Sequence, residues 1–180
     1  MTATTSDLEN FPVDNIRREL FNGRLHTSSS FPCAHQALTV SLGVALTRSC
    51  PGHLFVTHAN EVELDPHNVF IPDLMAVDFE ATRSGAGKFP AAEVTLVAEI
   101  VSPGTQGIDR VTKPAAYARA GIPHFWLIET LNGLEVTAFE LNPETQSYEE
   151  TGVFSGDDTI RVEQPWAIEI PLASVRPRNL

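Results

Sequence analysis

The sequence predicts a mixed α/β (α+β) domain, a mixed β-sheet flanked by helices, and three observations carry that prediction. VTLVAEIV (94–101) and IPHFWLIET (122–130) are short, apolar, β-branched or aromatic runs bounded by Pro and Gly, the pattern of buried strands. FPCAHQALTVSLGVALTRSC (31–50) instead places Ala34, Leu38, Leu42, Ala45 and Leu46 at helical spacing, with Pro51-Gly52 as the stop. The last third, with GLEVTAFEL, SYEETGVF, DTIRV and WAIEIPL, reads as a C-terminal β meander. A chain of 180 residues, 42% hydrophobic and 19% charged, suits one globular domain with a sizeable core.

In chain order, residues 1–15 are polar and read as a flexible N-terminal arm, and residues 16–180 as the single domain. RELFNGRLH (18–26) carries Asn22-Gly23 between alternating runs. Both residues tolerate the positive φ of a type I′ turn, so a hairpin is expected. After the helix, HLFVTHANEVELD (53–65) reads as one strand, with a turn at Asp65-Pro66-His67-Asn68. NVFIPDLMAVDF (68–79) reads as the next strand, and RSGAGKFP as an exposed loop. Its GAGK fragment lacks the Ser or Thr of a phosphate loop, since Phe89 follows the lysine. A polar helical stretch is expected from about Gln106 to Ala120, stopping at Gly121.

Composition excludes several classes. The N-terminus has no apolar targeting core, and no run approaches the ~20 residues of a membrane span, so a soluble cytoplasmic protein is expected. Cys33 and Cys50 form no metal-type pair and read as free buried thiols. A net charge of −11 argues against gripping nucleic-acid phosphates over a wide area, while leaving a local basic patch open. The histidines show no HExxH or Cys-His zinc pattern, and Ser102 stands in no G-x-S-x-G elbow.

The chemistry concentrates on a few positions. Asp73 follows Pro72, and Glu99 lies near the end of the buried run VTLVAEIV. If the two strands pair, at the ~4.8 Å of neighbouring strands, both carboxylates can point to one place. Close carboxylates repel unless a proton or cation is shared, and a hard ion such as Mg²⁺ (or Mn²⁺) answers that need. Asp109, Lys113 and Tyr117 are spaced i, i+4, i+8, hence on one helical face from which the lysine could reach the acids. Two acids and a lysine around a metal suit phosphodiester cleavage: the metal activates water and the lysine stabilises the transition state. Each residue also has an ordinary structural reading. Asp after Pro is common in turns, Glu at a strand end is commonly solvated, and Asp109 with Lys113 could be a surface pair worth ~0.3–0.5 kcal/mol. His35 is as easily structural as an aid to proton transfer.

The series RELFNGRL, a helix with His35-Gln36, IPDLMAV, AEIVSPGT and DRVTKPAAYARAGIPHFWLIE resembles the Uma-two family of the PD-(D/E)XK nuclease superfamily. The resemblance covers about residues 17–130. It implies a restriction-endonuclease-like core, with Asp73 and Glu99 as metal ligands. The superfamily often has lysine two residues after the second acid; here that residue is Val101, and Lys113 is the counterpart on the following helix. Glu19 matches the acid before the hairpin turn, and Ser102, Asp109 and Tyr117 match supporting positions. Departures are SPGT in place of an SPST-like corner, Gly107, and Pro114 directly after the lysine. Proline suits a first helical position, so the helix could begin at Pro114, leaving Lys113 at its threshold rather than on its inner face.

These expectations converge on a metal-dependent endonuclease acting on nucleic acid, DNA first and RNA or a small nucleotide as a further option, with a homodimer as fold-level analogy. The competing expectation is a catalytically silent nuclease-like fold serving as a binding or regulatory module. Arg17, Arg18, Arg24, Arg110 and Arg119 clustered around the acids would favour nucleic acid; an acidic rim would not.

Overall fold

The computed structural model describes residues 2–12, 14, 16–28, 31–85 and 87–180. The hairpin forms as expected: β1 (Arg17–Phe21) pairs antiparallel with β2 (Arg24–Ser28), Phe21 facing Arg24. Asn22 and Gly23 turn at φ 49° and 71°, the left-handed pair that a type I′ turn requires.

The expected flexible arm is corrected over its middle. Thr5–Glu9 forms helix α1. The Asp7 carboxylate accepts the Thr4 N–H at 2.8 Å and the Thr4 hydroxyl at 2.9 Å, closing the first turn. Five residues cannot hold a helix alone. Tertiary bonds supply the difference: Ala3 N–H donates to the Gly23 carbonyl, Thr5 N–H to the Pro66 carbonyl, and Glu9 pairs with Lys88 at 2.7 Å. This docking makes Gly23 a sensitive position. A Cβ there would stand 2.7 Å from Thr2 Cβ and 2.9 Å from the Ala3 carbonyl oxygen, at a φ of +71°. Gly23→Ala is therefore expected to cost about 1–3 kcal/mol in urea unfolding. A loss of only a few tenths would show that the N-terminal segment yields freely.

The 31–50 helix is realised as α2 (Cys33–Ser49), which buries Leu38, Leu42 and Leu46. Cys33 is exposed and Cys50 half-buried, both free, so the buried-thiol expectation fails: the two flank α2 at its N-terminal start and its C-cap, outside the stripe of Leu38, Leu42 and Leu46.

Two long strands of the sequence reading are each broken in two. HLFVTHANEVELD becomes β3 (Leu54–Thr57) and β4 (Glu61–Asp65), with Ala59 turned at φ 56° between them. NVFIPDLMAVDF becomes β5 (Asn68–Phe70) and β6 (Leu74–Asp78), interrupted at Ile71-Pro72-Asp73. Proline offers no N–H to a ladder, so the chain leaves one sheet there and joins another. Likewise KFP is not loop but β7 (Lys88–Pro90), parallel to β4.

The five-stranded sheet runs β2-β1-β5-β4-β7. The six-stranded sheet adds β8 (Val94–Ile100), β9 (His124–Glu129), β10 (Glu135–Asn142) and β11 (Ser147–Ser155) in the order β11-β10-β9-β8-β6-β3. β8 and β9 are parallel and the other neighbours antiparallel, so the sheet is mixed. Of the expected C-terminal meander only β10 and β11 continue the six-stranded sheet; β12 (Thr159–Val162) and β13 (Ile168–Pro171) form a separate two-stranded ribbon, followed by α4 (Leu172–Val175).

Alternation along β8 divides the interior. Leu96, Ala98 and Ile100 join Leu38, Leu42, Trp126 and Ile168 in the core beneath α2. Val97 faces the opposite way, into a second core with Phe70, Met75, Tyr117 and Phe125. Glu99 has the parity of Val97, so the pleat aims its carboxylate between the two sheets. Phe125 and Trp126, within the run read as a buried strand, are core residues.

Between β8 and β9 the helical stretch begins at Gln106, widens into a π turn over Ile108–Thr112, and continues as α3 (Lys113–Arg119). The wide turn accommodates Pro114. The Lys113 N–H reaches back to the Ile108 carbonyl, and Lys113 keeps helical angles (φ −65°, ψ −49°) instead of being driven out of the helix. Among the described residues no helix is long and apolar enough to cross a membrane.

Candidate functional site

Asp73 ends the chain's passage from the five-stranded to the six-stranded sheet. The register of β6 on β8 sets Leu74 opposite Ala98, which brings Asp73 alongside the end of β8. Its Oδ2 accepts the Ile100 N–H at 2.8 Å and lies 3.0 Å from His35 Nε2; its Oδ1 is 3.5 Å from Arg17 Nη1. Burial acts to raise its pKa, but the His35 hydrogen bond, with Lys113 and Arg17 nearby, holds it below the ordinary value.

Glu99 is 1% exposed. Tyr117 donates its hydroxyl to Oε1 at 2.6 Å, and the Lys113 ammonium donates to Oε2 at 3.0 Å. Burial, with the neighbouring Asp73, Asp109 and Glu19, pushes its pKa up to about 8 against the pull of Lys113. Lys113, 2% exposed, also lies 3.2 Å from Glu19 Oε1 and 3.7 Å from Asp109 Oδ1. Surrounded by carboxylates, its pKa rises despite burial, so it stays an ammonium ion. Glu19 Oε1 accepts the Ile71 N–H at 2.8 Å and stands 3.7 Å from Arg17 Nη2. Asp109 is raised in pKa, chiefly by burial.

The spacing that put Asp109, Lys113 and Tyr117 on one face is thus realised, and all three side chains are buried. The threshold placement that Pro114 suggested does not occur, because the π turn carries the helix through it. His35 reaches the site through Asp73, its ring stacked on Phe31 at 4.3 Å. Its Nδ1 and Arg17 Nε are buried without a hydrogen-bond partner. Ser102 is nearby but bonds to Thr105 (Oγ to Oγ1, 2.8 Å), tying the SPGT corner rather than touching the acids.

Two residues beyond the predicted site line the cleft: Phe31, which the sequence does not single out, and Arg17, which it names only as one of five arginines. Arg17 donates to the Ile71 carbonyl and lies over the Phe31 ring at 5.1 Å. Phe31, ahead of the helix, looked like a helix-start residue. The arginine cluster that would favour nucleic acid does not form: of the five, Arg17 alone lines the cleft. Arg18 pairs with Asp14 and Arg110 with Glu129.

Together these residues wall a cleft of about 470 Å³, acidic at its floor and apolar at Phe21, Phe31 and Ile108. Among the described residues no three or more His, Cys, Asp or Glu side chains stand as a preformed metal cage. The acids are bridged by cations instead. Glu19, Asp73, Glu99 and Asp109 converge on Arg17 and Lys113.

The fold is similar to that of a solved structure from Anabaena variabilis described as "a putative nuclease belonging to DUF820" (TM-score 0.74, 14% identity, 96% of each chain covered). The chain belongs to the Uma2 family, described as "Putative restriction endonuclease", whose model matches residues 6–173. No curated protein matches it.

Proposed function

We propose that this protein is an endonuclease that hydrolyses phosphodiester bonds in DNA and depends on Mg²⁺ or Mn²⁺. Its family membership supports the nuclease class, and one observation carries the metal dependence. Four carboxylates and two permanent cations meet at the floor of one cleft, a donor set with negative charge to spare. Hard oxygen donors in excess of cations fit a divalent metal. Asp73 and Glu99 are the proposed ligands, with Glu19 in support. Bound there, the ion would supply Lewis acidity toward a phosphate oxygen.

The protein's own groups divide the remaining work. Lys113, kept protonated by its carboxylates, cannot act as a base; it donates hydrogen bonds to negative charge building on the phosphate. Arg17 offers a second cation beside Asp73. His35 and the Ile100 N–H fix the Asp73 carboxylate, and Tyr117 fixes Glu99. Asp109 positions Lys113 from one helical turn away.

The deciding experiment incubates the protein with plasmid, linear and single-stranded DNA, and RNA, in Mg²⁺, Mn²⁺ or EDTA. Metal-dependent cutting of DNA is expected. Cutting of RNA alone would move the substrate, and cutting of nothing would leave the binding-module reading. Sedimentation of the protein with and without duplex tests the proposed homodimer.

Proton competition gives a further expected result. With Glu99 at about 8 in the metal-free protein, a ligating carboxylate must first lose its proton. Mg²⁺ affinity is expected to rise about tenfold per pH unit up to that value and then level, with one proton released. Calorimetry in two buffers of different ionisation enthalpy reads this directly. A flat profile from pH ~6 to ~8 would remove Glu99 from the ligand set.

A further inference from the structure

The opposite side of the helix that carries Lys113 borders a second recess. It is a groove of about 340 Å³ between α3 and the face of β9 to β11 that carries the second core. Its floor is aromatic: Phe125 stacks with Phe139 at 5.7 Å and with Tyr148 at 5.4 Å. Its rim holds Arg110 and Arg119, and no acidic residue lines it. Arg110 is already paired with Glu129. Arg119 is exposed and has no hydrogen-bond or ion-pair partner among the described residues. Flat rings beside an unpaired guanidinium complement a planar group that carries an anion.

The groove is also next to the cleft. Tyr117, whose hydroxyl holds Glu99, has its ring 6.2 Å from that of Phe125, the groove's floor. Lys113 lines the cleft, and its neighbour Pro114 lines the groove. A helix is about 10 Å across, so one strand laid over α3 reaches both recesses.

We propose that this groove binds one nucleotide unit of the substrate strand, its base against Phe139 and Tyr148 and its phosphate on Arg119. The choice of a nucleotide among aromatic anions rests on the nuclease reading; the existence of the site does not. Base–aromatic stacking needs an unpaired base, so the groove favours single-stranded segments over continuous duplex.

Two measurements test it. In the first, adenosine 5′-monophosphate and adenosine are titrated separately into the protein and followed by amide NMR. AMP is expected to shift Ala115, Ala118 and Arg119, and adenosine to bind about tenfold more weakly. Shifts confined to the Glu99 cleft, equal binding of the two, or no shifts overturn the proposal.

In the second, a labelled single-stranded oligothymidylate is followed by anisotropy in EDTA, so that no cutting is involved. Arg119→Glu, and Ala115→Trp, which fills the mouth from an exposed position, are each expected to weaken binding about tenfold. Arg48→Glu, an equal charge change at the end of α2, is expected to change it by about twofold or less. Equal losses from Arg48→Glu and Arg119→Glu would mean diffuse electrostatics and overturn the site. A dimer dissociated by Ala115→Trp would assign the groove to a second copy of this chain and also overturn it. Binding that Arg119→Glu weakens, in a protein that cuts no substrate, would keep the groove and sink the nuclease reading alone.

Discussion

Asp73→Asn is expected to abolish DNA cleavage, by roughly a thousandfold or more, while the protein still folds. The amide keeps the shape of the carboxylate and one oxygen able to accept the Ile100 N–H. It loses the negative charge on which both the proposed metal and the Arg17 contact depend. The cost in stability is set by the altered His35 and Arg17 contacts, about 1–3 kcal/mol. The readouts are therefore separable: far-UV circular dichroism and the melting midpoint report folding, calorimetry reports Mg²⁺ binding, and a plasmid assay reports cutting. Loss of cutting together with loss of metal binding is the expected pair. Cutting that persists near the wild-type rate would remove Asp73 from the mechanism and, with it, the reason for grouping the four acids.

Lys113→Met has the larger effect on folding. Methionine matches the length and apolar stem of lysine but leaves Glu19, Glu99 and Asp109 facing one another without their shared cation. Breaking a buried charge network from one side costs about 3–5 kcal/mol. The pH dependence follows from the shifts. Lys113 is raised by folding, so it stabilises the native state below its unfolded pKa of ~10.4 and loses that effect only as pH rises through its folded value. Glu99 and Asp109 are raised too; each is an acid that favours the native state when protonated and penalises it as pH rises through its folded pKa. Without the lysine that penalty grows, and acid relieves it. The gap in melting temperature between wild type and Lys113→Met is expected to narrow toward pH ~5 and to widen with rising pH, continuing past pH ~8, where wild-type Glu99 has lost its proton and the variant's has not. A gap that is constant with pH would mean the lysine contributes by packing alone. Cleavage is expected to fall by about 10²–10³ in preparations shown to be folded, because a preorganised cationic donor is lost.

Much of the fold was readable one segment at a time. The Asn22-Gly23 turn, the α2 stripe of Leu38, Leu42 and Leu46, and the buried runs that became β8 and β9 depend on local periodicity and turn chemistry. Periodicity also put Asp109, Lys113 and Tyr117 on one face, and that face is the one the helix buries. What failed was whatever depended on a partner distant in sequence. An apolar run gives no sign of where it changes sheets, so the breaks at Ala59 and at Ile71-Pro72-Asp73 were read as continuous strand. A five-residue helix has no stable periodicity, so α1 is legible only from the carbonyls of Gly23 and Pro66 that receive it.

The site divides in the same way. Sequence by itself marked the candidates: Asp73 after a proline, Glu99 near the end of a buried apolar run, and Lys113 sharing a helical spacing with Asp109 and Tyr117. Those are properties of local spacing and side-chain chemistry, whereas Lys113 standing in for a lysine at the Val101 position came from the family resemblance. Only the tertiary structure decided that they meet. The β6–β8 register brings Asp73 to the end of β8, and the π turn over Ile108–Thr112 keeps Lys113 in helical geometry ahead of Pro114, within 3.0 Å of Glu99. It also decided that Arg17 completes the cluster while Arg18 and Arg110 turn to other acids. Charge pairing depends on distance through space, and the linear chain does not record that distance.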